Sequence, residues 1–178
     1  AAAIALLSGD ERSEALKKAR EEQWVNKPIS DYYEPGSVFK VFTSAMALEE
    51  DVVNEDTSFY CKGYITIAGT RVGCHKAGGH GSENFVQAVS NSCNPAFAEI
   101  GQKLGRSLFW KYYQGFGFTN RTGIDMLSES LVTSSLYHNE DQLNIMELSV
   151  SAFGQTFKVT PIQMITAMAA VANGGKLM

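Results

Sequence analysis

The chain has 178 residues, of which 44% are hydrophobic and 19% are charged, and its formal net charge is -4. This composition is that of a globular protein with one domain and one hydrophobic core, and it excludes a disordered or low-complexity chain. The acidic balance argues against nucleic acid as a partner, and three cysteines are too few for a disulfide framework.

The predicted elements are mainly helices. Their patterns of apolar residues place them at 10–22, 37–49, 84–91, 95–104, 107–113 and 161–172. The first is highly charged and is expected to lie in solvent, whereas the second is apolar on nearly every side and is expected to be buried. Residues 60–74 predict a β-hairpin, and a glycine-rich loop follows at 76–82. Helices with a single hairpin and no repeat favour an α+β fold over an alternating α/β fold.

Ser37 and Lys40 form a Ser-x-x-Lys pair at the start of the predicted apolar helix. The preceding Glu-Pro-Gly turn puts Ser37 in the first helical turn, where free backbone N–H groups and the helix dipole favour negative charge. The i,i+3 spacing puts Lys40 on the same face, and an apolar environment lowers the pKa of a lysine so that it can act as a base. The pair indicates a nucleophile and its activator. The alternative is a helix-capping serine beside a lysine that reaches solvent.

Ser92 and Asn94 lie in a polar cluster between two apolar segments. Such a cluster before Pro95 is typical of a helix cap. Because it is flanked by apolar helices, its side chains must be satisfied internally or face a cleft. In a cleft, the Ser92 hydroxyl is expected to relay a proton and the Asn94 amide to hold a substrate carbonyl or amide.

Cys61, Cys74, His75 and His80 fall within 20 residues of sequence. Thiolates and imidazoles are the ligands that structural zinc prefers, so these four residues predict a structural zinc site, with Cys93 competing with His75 for the fourth position. The spacing matches no standard zinc-finger signature. Two alternatives stay open: buried cysteines with loop histidines, or a disulfide between Cys61 and Cys74 in an oxidising exterior.

Five motifs in a fixed order resemble the transpeptidase domain of class B penicillin-binding proteins. They are Glu34-Pro35-Gly36-Ser37-Val38-Phe39-Lys40, Ser92-Cys93-Asn94, Ser151-Ala152-Phe153-Gly154-Gln155-Thr156, Thr160-Pro161-Ile162-Gln163 and Asn173-Gly174-Gly175-Lys176-Leu177. The likeness is nearest to monofunctional cell-wall enzymes of Gram-positive spore formers, including sporulation-type members.

The resemblance implies a serine D,D-transpeptidase that cross-links peptidoglycan stem peptides ending in D-Ala-D-Ala and is inhibited by β-lactams. Ser37 would be acylated, with Lys40, Ser92 and Asn94 completing the catalytic group, and the chemistry would need no cofactor. The family's third motif, Lys-Thr-Gly or Lys-Ser-Gly, has no match here and is expected beyond residue 178. Residues 1–178 are therefore expected to be an incomplete domain, inactive alone: the helical subdomain with a β-hairpin.

The resemblance also implies a location on the extracytoplasmic face of the cell membrane. The expected anchor is an N-terminal helix outside this chain, and the expected partners are those of a cell-wall synthesis complex. The sequence also allows two other functions. One is a β-lactam-sensing or β-lactam-hydrolysing protein with the same Ser-x-x-Lys core, and the other is a non-catalytic, zinc-stabilised interaction module.

Overall fold

The computed structural model describes residue 4 and residues 8–178. Its helices are α1 Gly9–Gln23, α2 Lys27–Ser30, α3 Lys40–Glu49, α4 Phe85–Ser90, α5 Asn94–Gly115, α6 Ile145–Ser151 and α7 Pro161–Ala172. Its strands are β1 Ser58–Cys61, β2 Tyr64–Ile67, β3 Thr70–Gly73 and β4 Gly81–Asn84, and 3-10 turns cover Gly36–Phe39 and Glu140–Gln142. The predicted α+β class is confirmed. Within the described residues, no helix combines the length and apolarity needed to cross a membrane.

The strands form two separate antiparallel pairs. β2 and β3 make the predicted hairpin, in which Ala68 and Gly69 both have positive φ, as a two-residue turn with the right twist requires. β1 pairs with β4, so that Cys61 lies opposite Gly81. The prediction of a loop through this part of the chain is therefore wrong for β4. Its residues have low strand propensity, and pairing with β1 overrides that preference.

The predicted helix boundaries at Thr160 and Gly105 are confirmed. Thr160 caps α7 through a reciprocal pair of hydrogen bonds with Gln163. Gly105 has φ 73° and ψ 163°, which interrupts α5 between the two segments that the sequence predicts. Local capping and glycine signals thus place these boundaries correctly.

The core is centred on an aromatic cluster around Phe39, which is fully buried. Its ring packs edge-on against Phe157 at a centroid distance of 4.7 Å and lies 5.3 Å from Phe42 and 5.5 Å from Phe118. Phe39 lies between Ser37 and Lys40 in sequence, so the aromatic core holds the turn that carries both.

Only one face of α3 is buried. Phe42, Met46 and Ala47 lie in the core, whereas Val41 and Leu48 are exposed. The expectation that this helix is buried is therefore correct for its inner face and wrong for the face that carries Val41 and Leu48. The highly charged helix is confirmed as exposed, because α1 has no buried residue.

Two glycines approach each other closely where the chain enters α3. The Gly36 N–H donates to the Gly154 carbonyl at 2.8 Å, and an added Cβ on Gly154 would lie 2.0 Å from the Gly36 oxygen. Gly154 also has φ +85°, a conformation that is unfavourable for residues with a Cβ atom. The loop after α6 therefore fixes the backbone immediately before Ser37.

Gly154→Ala is expected to destabilise the protein more than Gly174→Ala. Both glycines have nearly the same positive φ, 85° and 84°, but an added Cβ at Gly174 meets nothing within 4 Å. The matched control therefore carries only the backbone cost, about 1–2 kcal/mol. Gly154→Ala adds the displacement of Gly36, for which we expect about 1–3 kcal/mol more in the free energy of unfolding. Equal losses in denaturant unfolding would contradict the close contact.

Candidate active site

The Lys40 amine is the centre of the candidate site. Lys40 Nζ lies 3.1 Å from Ser37 Oγ, 2.8 Å from Ser92 Oγ, 2.7 Å from the Ser92 carbonyl oxygen and 2.7 Å from Asn94 Oδ1. The structure thus brings together all four residues that the sequence predicts to be catalytic. Ser37 is exposed, so its hydroxyl is accessible from solvent.

Burial changes the acid–base character of this amine. Lys40 is 4% exposed, and its Nζ lies 5.4 Å and 6.0 Å from the ring centroids of Phe97 and Phe153. Loss of solvation lowers the pKa of Lys40 from 10.5 to about 8, although the nearby thiols of Cys74 and Cys93 act in the opposite direction. About a tenth of the amine is therefore neutral at pH 7, with a lone pair that can accept a proton.

Ser92 reaches Lys40 because its backbone is in the left-handed region. Its φ is 49°, and it lies in the short turn between α4 and α5. This conformation costs energy for a residue other than glycine, and such strain is concentrated at functional sites. The turn directs both the carbonyl and the hydroxyl of Ser92 to the same amine.

Both ends of the Asn94 amide are engaged within the protein. Its Oδ1 accepts from Lys40, and its Nδ2 donates to the Gly73 carbonyl at 3.2 Å. This arrangement suits an amide that orients the lysine more than one that holds a substrate. The contact with Gly73, at the end of the hairpin, has no signal in the sequence because it joins residues far apart in the chain.

The segment Ser151–Thr156 supports the site from behind. Thr43 of α3 donates to the Ala152 carbonyl at 2.7 Å, and the Thr156 N–H donates to the Glu34 carboxylate at 3.3 Å. Together with the Gly36–Gly154 contact, these bonds fix both sides of the turn that carries Ser37.

A second cluster lies behind the Ser92–Asn94 turn. The donor atoms of Cys61, Cys74, His80 and Cys93 all lie within 4.8 Å of one another. Cys61 and Cys93 are buried, and the other two are half-buried. Three thiols and one imidazole are a common ligand set of structural metal sites, so these side chains can hold a metal ion.

The fourth member of this cluster is Cys93 rather than His75. His75 Nδ1 lies 3.8 Å from Cys74 Sγ, and its ring centroid is 5.3 Å from that of His80, but among the described residues the compact set does not include it. All three cysteines are free thiols.

The cysteines differ in how readily they ionise. Burial opposes ionisation of Cys61, but the N–H groups of His80 and Gly63, with the neighbouring thiols, lower its pKa overall. Burial, followed by the Glu83 carboxylate, raises the pKa of Cys93 strongly. A coordinated metal would reverse this effect, because its charge deprotonates a bound thiol.

Comparison with known proteins bears on the family. The family model for the penicillin binding protein transpeptidase domain matches residues 3–178. Stage V sporulation protein D of Bacillus subtilis (strain 168) is 45% identical over 153 residues, which are 85% of this chain and 23% of that protein. The chain spans about a quarter of the length of the curated relatives it matches.

Solved structures share the fold. The D,D-transpeptidase domain of a peptidoglycan glycosyltransferase from Eggerthella lenta matches with a TM-score of 0.78 and 26% identity, covering 93% of this chain and 43% of that one. Penicillin-binding protein PBP2 in its complex with MreC from Helicobacter pylori matches with a TM-score of 0.77 and 23% identity, covering 93% and 32% of the two chains. With the family model matching nearly the whole sequence, the chain belongs to the penicillin-binding protein transpeptidase family and, as its motifs predict, to class B.

Proposed function

We propose that the protein carrying this chain is a peptidoglycan D,D-transpeptidase that works through a serine acyl-enzyme. The observation that carries the proposal is the buried Lys40 amine within hydrogen-bond reach of Ser37, Ser92 and Asn94. The relatives support it, since the Eggerthella lenta domain bears the name D,D-transpeptidase.

In the first half-reaction, the Ser37 hydroxyl attacks the carbonyl between the two terminal D-alanines of a stem peptide. Neutral Lys40 accepts the hydroxyl proton as the new C–O bond forms. Ser92 Oγ, 2.8 Å from the lysine, relays a proton to the departing nitrogen as the peptide bond breaks. D-Alanine leaves, and the stem peptide stays esterified to Ser37.

In the second half-reaction, an amine from a neighbouring stem peptide attacks the ester. The amine loses a proton to the same base, Ser37 recovers its hydroxyl, and a new amide cross-links the two strands. A β-lactam mimics D-Ala-D-Ala and acylates Ser37, but its ring-opened amine stays attached. In this scheme Asn94 is a positioning residue, because its amide joins Lys40 to the Gly73 carbonyl.

Part of the site is assigned to a segment beyond residue 178. A Lys-Thr-Gly or Lys-Ser-Gly strand would complete the cleft and part of the oxyanion hole. Membership of the family also supports a location on the extracytoplasmic face of the membrane, with an anchor outside this chain. It supports a role in a cell-wall synthesis complex too, as does the PBP2–MreC complex of Helicobacter pylori.

The cysteine cluster is assigned to one structural zinc ion, held by Cys61, Cys74, His80 and Cys93. Four protein ligands leave no open position for water, so the metal would supply folding free energy rather than chemistry. The donor atoms within 4.8 Å of one another support this assignment. A disulfide remains the competing state of the same thiols.

Ser37→Ala is expected to abolish covalent labelling of the full-length protein by a fluorescent penicillin, because the nucleophile is removed. Lys40→Met is expected to slow labelling by about 10²–10⁴-fold through loss of the base. Ser13→Ala and Lys18→Met, on exposed α1, are matched controls that should label like the wild type. Mass spectrometry that places the adduct on another serine would refute the assignment.

The rate of acylation is expected to rise with pH through about 8, the lowered pKa of Lys40. Only the deprotonated amine is a base, so the rate should increase about tenfold per pH unit below this value and level off above it. Stopped-flow acylation by a penicillin measures the profile. A profile with no inflection, or one that Lys40→Met leaves unchanged, would contradict Lys40 as the base.

Protein purified without added metal is expected to contain one equivalent of zinc, and chelation is expected to lower its melting temperature. Cys93→Ser and Cys61→Ser should each reduce bound zinc, because each removes a ligand. His75→Gln is the matched control, since it removes an imidazole next to the cluster but outside it. Elemental analysis and calorimetry give both readouts without an activity assay. Less than about a tenth of an equivalent of zinc, with oxidised cysteines, would establish the disulfide instead.

A further inference from the structure

The β2–β3 hairpin has one apolar face and one polar face. Ile67 is buried, and Ile65 and Val72 pack against the core. Because side chains alternate along a strand, Tyr64 and Arg71 lie on the opposite face. The core therefore fixes the orientation of a hairpin whose outer face carries an aromatic ring and a guanidinium.

Two cations share the Tyr64 ring. Arg71 Cζ lies 3.8 Å from the ring centroid, and Lys62 Nζ lies 4.6 Å from it. Neither cation forms an ion pair with any carboxylate in residues 8–178. The electron-rich ring attracts both cations. The two positive charges repel each other, however, and no carboxylate in the described residues balances them. A bound anion would do so.

This face borders the candidate active site. Gly73 is the cross-strand partner of Tyr64, and it leaves open space beside the ring, since an added Cβ would meet nothing within 4 Å. The Gly73 carbonyl accepts from Asn94, which in turn accepts from Lys40. The two cations are thus attached to the same hairpin end that anchors the catalytic group.

We propose that Lys62, Tyr64 and Arg71 form a subsite for a carboxylate of the peptide substrate, away from the bond that Ser37 attacks. The inference rests on the proposed function. A guanidinium binds a carboxylate through two parallel hydrogen bonds, and stacking on Tyr64 holds its plane in position beforehand. Lys62 adds a second charge-assisted contact. The ligand is a side-chain carboxylate of the donor or the acceptor stem peptide.

The test compares full-length wild type with Arg71→Gln and Lys62→Gln, using two synthetic peptides that end in D-Ala-D-Ala. One peptide has a free side-chain carboxylate and the other has the corresponding carboxamide. Each variant is expected to lower kcat/KM about tenfold for the carboxylate peptide, mainly through KM, and to leave the carboxamide peptide unchanged. Arg106→Gln, an exposed arginine on α5, is the matched control.

A donor arm measures acylation of Ser37, and an acceptor arm keeps the donor constant and varies the amine. A carboxylate-specific loss in either arm supports the subsite and identifies which peptide occupies it. Equal behaviour of the two peptides in both arms would overturn it, whether the variants lose activity with both or with neither. Penicillin labelling separates this failure from that of the proposed function: wild type that is labelled at Ser37 retains the function even if the subsite is lost.

Discussion

The buried amine of Lys40 is the interaction on which the rest of the structure depends. A lysine that is 4% exposed loses most of its hydration, and this loss is tolerable only where oxygen atoms replace the water. Ser37, Ser92 and Asn94 supply those atoms from two separate helical segments. The position of the Ser92–Asn94 segment matters most, because moving it would remove three of the four oxygen atoms that lie within hydrogen-bond distance of the amine.

The spacing within Ser-x-x-Lys has a packing reason as well as a chemical one. Phe39 directs its ring into the aromatic cluster, while Ser37 stays exposed two residues earlier. The chain forms a 3-10 turn at Gly36–Phe39, in which residues three apart lie on the same side. Ser37 and Lys40 therefore share a side, whereas Phe39, two residues after Ser37, points elsewhere. Gly36 is the first residue of that turn, has φ 56° and lies in close contact with Gly154. Ser37, the proposed nucleophile, is therefore exposed on a turn whose other residues are fixed by the core and by Gly154.

What could be predicted from the sequence is local, and what could not depends on pairing between distant segments. The cap at Thr160 and the break at Gly105 are encoded by residues within one turn of each boundary, and the Ser-x-x-Lys face follows from helical spacing. β4 exists because β1 pairs with it, which its own sequence does not indicate. Likewise, the sequence leaves His75 and Cys93 as alternatives for the fourth member of the cluster, and the choice depends on the fold, in which Cys93 reaches the other three from the turn before α5.

Cys93 connects the two chemical centres of the molecule. The residues on either side of it, Ser92 and Asn94, bind Lys40, whereas its own thiol lies among Cys61, Cys74 and His80. Successive side chains in a tight turn point in different directions, so one short segment serves both clusters. The left-handed backbone of Ser92 costs free energy that the turn must recover elsewhere. In the proposed zinc-bound state, coordination of Cys93 would offset part of this cost at the next residue, so the cluster would stabilise the proposed catalytic geometry without contacting the substrate.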